Sequence, residues 1–218
     1  MLSSAGRTGN CTISGNVGGD IGKENEREYD DSFEWSWGRV RPLGPGGNPN
    51  VEDQMQTKVI SVERISMASS KPFDEVVKTL EADVGHPEMS TFIKEVAAAQ
   101  SEMELEQIVR RATGPSELMV FMRLDIGGVL RKEQGTSERK SYRFIIGNPV
   151  TMKAMAKHVP DAASYAPITI LVDERADGVH LSYDTMASSL ASYGSEEVLK
   201  VARELDAKVE KLITKAAA

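Results

Sequence analysis

Cysteine is nearly absent from this chain. Cys11 stands alone among 218 residues, so no intramolecular disulfide can form and no cysteine-based zinc site can be assembled. That usage fits a reducing compartment. Histidine is almost as scarce: His86, His158 and His180 show no HxH or HxxxH spacing, so a metal site is not expected. No apolar run approaches the roughly 20 residues of a membrane span. The first ten residues, MLSSAGRTGN, lack the apolar stretch of a signal peptide. A basic excess is missing too. The formal net charge is −7, from 26 basic and 33 acidic side chains, which offers no counter-charge to a phosphate backbone. These absences predict a soluble, cytoplasmic protein that binds neither nucleic acid nor membrane.

What is present divides at Met55. Residues 1–54 hold 10 of the 18 glycines, with 9 acidic and 5 basic side chains. Their apolar residues follow no helical or strand period, and RPLGPGGNPN at 41–50 reads as a linker. We therefore expect 1–54 to be a disordered, Gly-rich tail. One stretch departs from that pattern. In SFEWSWGRV, at 32–40, Phe33, Trp35 and Trp37 alternate with polar residues, as in a half-buried strand or a docking segment. Translation from Met55 is an alternative expectation, which would make the upstream segment incidental.

From 55 to 218 the periodicity predicts a single α+β domain. VISVERISM, at 59–67, reads as a strand. Ser69 or Ser70 is then placed to cap a helix whose apolar face is Phe73, Val76, Val77, Leu80 and Val84. Residues 89–100 look helical, and Ser101 with Glu104 has capping-box spacing for another helix. ELMVFMRLDI (117–126) and KSYRFIIG (140–147) form a predicted hairpin. Asn148 and Pro149 suit a helix start, since Asn caps and Pro lacks only an N–H that would be unpaired there. PITILVDE and GVHLSYD give a second hairpin, and Ser195 opens a long helix with Val198, Ala202, Leu205, Val209 and Leu212 on its buried stripe. Such an order predicts a two-layer sandwich: about five antiparallel strands with helices on one face.

Residues 146–184 carry a family resemblance. Gly147-Asn148-Pro149 opens a helix, Tyr165-Ala166-Pro167 precedes a strand, Asp177-Gly178 lies in the next hairpin, and Ser182-Tyr183-Asp184 closes the segment. In this order and spacing the sequence resembles the domain of unknown function 302 family (DUF302). SSKPFDEVVKTLEADVG, at 69–85, is similar to the family's first helix, and the resemblance extends over most of 58–215. It implies a strand–helix–strand–strand–strand–strand–helix core, in members that look like dimers or small-molecule binders, with no activity to transfer. Many relatives have Asp-His-Gly-Ala in the second strand, whereas this chain has Asp125-Ile126-Gly127-Gly128. Whatever that histidine does is therefore not expected here. Segment 86–115 is longer than in compact relatives, which implies extra helices.

Motifs for common chemistries fail in context. Ser182, His180 and Asp184 lie close in sequence, but no GxSxG elbow exists. GNVGGDIG, at 15–22, has no strand before it and no helix after it, as a phosphate loop requires. We assign no catalytic residue, cofactor or metal. Strict alternation places Leu118, Val120, Met122 and Leu124 toward the helices. It turns Phe121, Arg123 and Asp125 to the open face of the sheet, with Arg143, Thr169, His180 and Ser182. A face that mixes apolar surface with arginines is seldom left bare. The expected roles are a homodimer interface or a pocket for a small anion beside an apolar group. The alternative is an enzyme of unassigned type using Arg123, Arg143 and His180.

Overall fold

The computed structural model describes Met55 and residues 57–133 and 139–218. The predicted tail, its linker and the aromatic segment 32–40 lie outside the described residues. Among the described residues five strands form one antiparallel sheet: β1 (Arg64–Ser69), β2 (Met119–Asp125), β3 (Ser141–Gly147), β4 (Ile168–Arg175) and β5 (Gly178–Asp184). Their order across the sheet is β1-β5-β4-β3-β2. Both predicted hairpins form, and β1 returns to pair with β5 at the far edge.

Helix α1 (Phe73–Ala82) and the long α7 (Glu196–Ala217) cover the inner face, with α5 (Pro149–Ala156) and α6 (Met186–Ala191). The core joins Val76 and Leu80 of α1 to Phe144, Ile170 and Leu181 of the sheet and to Ala202, Val209 and Ile213 of α7, all fully buried. Each of these side chains larger than alanine contributes about 1.5–3 kcal/mol by leaving water. Helices α2 (Met89–Ala98) and α3 (Glu102–Ala112) occupy segment 86–115 and build a second, smaller cluster. There Phe92, Ile108 and Val109 pack with Met119 of β2.

Several local signals act as the sequence predicts. Asn148 accepts from the backbone N–H groups of Val150 and Thr151, and Pro149 follows in the first turn of α5. Ser101 accepts from Glu104 N at 3.2 Å, while the Glu104 carboxylate reaches back to Gln100 N. Others differ for physical reasons. The first strand spans Arg64–Ser69, not 59–67, because its partner β5 ends opposite Arg64. Before it, Glu63 is held by α6 instead, its N–H donating to Ser188 Oγ. Neither Ser69 nor Ser70 caps α1. Pro72 occupies that position without a side-chain bond, and Ser69 donates to the Ala217 carbonyl at the end of α7.

The largest correction concerns β2. Val120 pairs with Ile146 and Met122 with Ile145, which leaves Phe121 in a bulge. One extra residue reverses the alternation beyond it. Leu118 and Val120 pack on the core as predicted, but Met122 and Leu124 are exposed on the open face. Arg123 turns to the helix side, opposite Phe144. There it donates to Glu81 of α1 at 2.6 Å and lies over the Tyr142 ring. Asp125 also leaves the open face and caps the short helix α4 (Ile126–Leu130), accepting from Gly128 N at 2.6 Å. A side chain at Gly128 would strike that carboxylate, which accounts for the glycine.

Candidate functional site

The face turned away from the core helices is assembled by strand register. Leu124, Arg143, Leu171, Ser182 and Ser66 lie side by side across all five strands. The neighbouring row contains Met122, Ile145 and Thr169, and Arg64 stands opposite Asp184 at the sheet's end. In an antiparallel pair, such neighbours are within side-chain reach.

At that end, where β4 begins and β5 stops, the face becomes a cavity of about 560 Å³. Its charged residues are Arg64, Arg143 and Asp184, and Thr169 and Ser182 supply hydroxyls. Leu171 and Ile168 of β4, Tyr165 and Pro167 before it, and Met186 of α6 add apolar surface. This is the size range of small-molecule sites.

Two of the charges satisfy each other. Arg64 Nε and Nη2 donate to the two Asp184 oxygens at 2.5 and 2.8 Å. Arg64 holds the Asp184 carboxyl below its ordinary range, chiefly through that hydrogen bond, so Asp184 stays ionised. Arg143 differs. Its Nη2 donates to Thr169 Oγ1 at 3.3 Å, and among the described residues no carboxylate lies within ion-pair distance of it. The bond to Thr169 orients the guanidinium and leaves most of its five donors free. Ser182 is buried, yet its hydroxyl bonds to no other described side chain.

Of the residues singled out from sequence, Arg143, Thr169 and Ser182 meet at this cavity. His180 shares the face but lies toward its other end, beside Asp173 and Ala68. Its Nε2 is engaged by the Asp177 carboxylate at 3.0 Å, and that bond is the main reason the Asp177 carboxyl is held below its usual range. Phe121 packs on the smaller cluster. Arg123 and Asp125 are turned away, as above. Sequence reasoning missed Arg64 and Asp184, whose pairing depends on the β1–β5 register, and the Tyr165 and Met186 walls, which arrive from outside the sheet. Among the described residues no group of three or more His, Cys, Asp or Glu side chains could hold a metal ion. No described helix is long and apolar enough to cross a membrane.

Residues 94–216 match the family described as Domain of unknown function DUF302. The chain belongs to the DUF302 family. The matched span runs from within α2 nearly to the end of α7, so it includes β2–β5 and most of the cavity's lining. No curated protein matches this DUF302 chain. Among solved structures it is similar to one described as the crystal structure of uncharacterized conserved protein DUF302 from Bacillus stearothermophilus. That likeness has 8% sequence identity and a TM-score of 0.49, covering 70% of this chain and 97% of the other.

Proposed function

We propose that this DUF302 domain is a small-molecule-binding module whose ligand places an anionic group against Arg143 and an apolar body along the cavity wall. The observation that carries the reading is the Arg143 guanidinium, without a carboxylate partner among the described residues, at the rim of a 560 Å³ hollow. A guanidinium fork matches the geometry of an oxyanion and bonds to it about twice as strongly as a neutral pair does. Leu171, Ile168 and the Tyr165 ring offer the apolar half. The reading assigns binding, not catalysis. Among the described residues no histidine or carboxylate bonds the Ser182 hydroxyl, and the His180 bond runs to Asp177 instead.

Native mass spectrometry of gently purified protein tests it. A retained mass of a few hundred daltons is expected in the wild type and absent from Arg143→Ala. With the ligand in hand, that substitution should weaken binding about 10- to 100-fold, as loss of a charge-assisted hydrogen bond of about 1.5–3 kcal/mol implies. Wild-type affinity in Arg143→Ala would sink the proposal.

A second reading, self-association, has its own observation. Met122 is 51% and Leu124 36% exposed on the same face, at the β2 edge. Large apolar side chains together on a strand surface are a common sign of an interface. Sedimentation of the wild type should then reveal a dimer that Leu124→Lys returns to monomer. A wild type monomeric at every concentration would discard this reading.

A further inference from the structure

The charge balance and shape of the cavity narrow the ligand class, given the ligand-binding reading above. We infer that the site takes a singly charged, planar carboxylate on an apolar chain or ring, and discriminates against the corresponding phosphate.

Three observations carry this. The first is the count of charge. Among the described residues Arg64, Arg143 and Asp184 are the ionic groups of the lining, and together they leave one net positive charge. Asp184 is ionised, and its two oxygens are held by Arg64. A monoanion balances the cavity. A dianionic phosphate leaves it negative and faces Asp184 across a partly enclosed space, where like charges repel more strongly than in water.

The second is the donor set. Phosphate sites gather several backbone N–H groups at a helix N-terminus or a glycine-rich nest, or several cations together. Among the described residues this lining has no glycine. Its nearest helix start, that of α6, is already occupied: the N–H groups of Met186 and Ala187 donate to Asp206 at 2.8 and 2.9 Å. What remains among the described residues is one planar fork, Arg143 of β3, anchored on one side by Thr169 of β4, and the Ser182 hydroxyl on β5, separated from Arg143 in the same row by Leu171. Two parallel N–H donors match the two oxygens of a carboxylate.

The third is the surface beyond the fork. Ile168, Leu171, Pro167 and Met186, with the Tyr165 ring, line the same hollow, so the group attached to the carboxylate meets apolar side chains.

Calorimetry with three probes of one chain length tests the inference: octanoate, octyl phosphate and 1-octanol, near pH 8, where the phosphate monoester carries close to two charges. Octanoate should bind at least about tenfold more tightly than either of the others, the scale of one charge-assisted bidentate contact. In Arg143→Ala and Arg143→Gln, octanoate should fall to the level of octanol. Both variants should keep the wild-type melting temperature, because Arg143 is exposed and makes a single long bond. If octyl phosphate binds as well as octanoate or better, and still depends on Arg143, the carboxylate inference fails while the anion-binding reading stands. If neither octanoate nor octyl phosphate binds better than octanol, or neither depends on Arg143, both fail.

Discussion

Replacing Asp206 by alanine is expected to cost about 3–5 kcal/mol of stability, the range for removing one member of a buried charged network. On a domain of this size that lowers the melting temperature by roughly 6–20 °C. Asp206 is buried on α7, yet both carboxylate oxygens are used. Tyr183 Oη donates to Oδ1 at 2.6 Å, Met186 N to Oδ1 at 2.8 Å and Ala187 N to Oδ2 at 2.9 Å. One side chain thus satisfies the orphan N–H groups that open α6 and the hydroxyl of a buried tyrosine, fastening β5 and α6 to α7. Alanine leaves the Tyr183 hydroxyl and the Ala187 N–H without an acceptor and Met186 N with only its 3.2 Å bond to Tyr183 Oη, at about 1–3 kcal/mol for each donor that water cannot reach. Asparagine keeps one carbonyl acceptor and should lose clearly less. A melting temperature within a few degrees of wild type for Asp206→Ala would show that water enters and replaces the carboxylate.

The same network predicts a pH dependence. Burial, then the Asp206 carboxylate beside it, pushes the Tyr183 hydroxyl above the ordinary tyrosine range. The folded state therefore favours neutral Tyr183. Its contribution is fully present below the unfolded value of about 10 and is lost progressively as pH rises beyond that. Tyr193, raised chiefly by its bond to Tyr165, adds to the same slope. The diagnostic is therefore a difference. Chemical denaturation between neutral and strongly alkaline pH should show a shallower loss in Tyr183→Phe than in the wild type. Equal slopes would mean that Tyr183 ionises without unfolding.

Why the sequence announced some of this and not the rest can be traced to particular residues. Long-period signals survived intact: the α7 stripe from Val198 to Leu212, the Asn148-Pro149 start, and the Ser101–Glu104 cap each depend on neighbours within a turn or two of helix. The site depended on register, which is non-local. A bulge at Phe121 costs one residue and has no composition signal in MVFMRLD, yet it moved Arg123 and Asp125 off the open face and brought Met122 and Leu124 onto it. No bulge interrupts β3, β4 or β5, so simple alternation there placed Arg143, Thr169, His180 and Ser182 together. Arg64 lies inside the strand expected at 59–67, but nothing local says which strand pairs with it, and its place in the cavity rests on the β1–β5 register that sets it opposite Asp184. Asp206 left a trace that went unused: it falls on the buried α7 stripe, four residues after Ala202, where a charge requires donors waiting for it.

Gly85→Ala should be nearly as damaging as the loss of Asp206, for a reason unrelated to polarity. Gly85 forms a short parallel bridge with Met119, its N–H donating to the Leu118 carbonyl and its own carbonyl accepting from Val120 N, both at 2.9 Å. At this crossing the backbone leaving α3 passes directly against it. A Cβ at Gly85 would sit 1.9 Å from the Ala112 carbonyl oxygen, and one at Gly114 would sit 2.4 Å from the Val84 carbonyl carbon. Both obstacles are backbone, so no rotamer change relieves them. Either alanine must prise the α3 exit from the β2 edge and loosen the cluster of Phe92, Ile108 and Val109 on Met119. The expected loss is about 3 kcal/mol or more, at the upper end of overpacking costs. Gly194→Ala provides the control. Gly194 has a left-handed backbone, with φ of 68°, which neither Gly85 nor Gly114 shares, and nothing lies within 4 Å of its missing Cβ, so only the conformational cost of about 1–2 kcal/mol applies. Because one displacement relieves both clashes, Gly85→Ala with Gly114→Ala should cost less than the sum of the single variants. Additive losses would mean that the two chains yield independently, and a Gly85→Ala variant as stable as Gly194→Ala would mean that no tight crossing exists there.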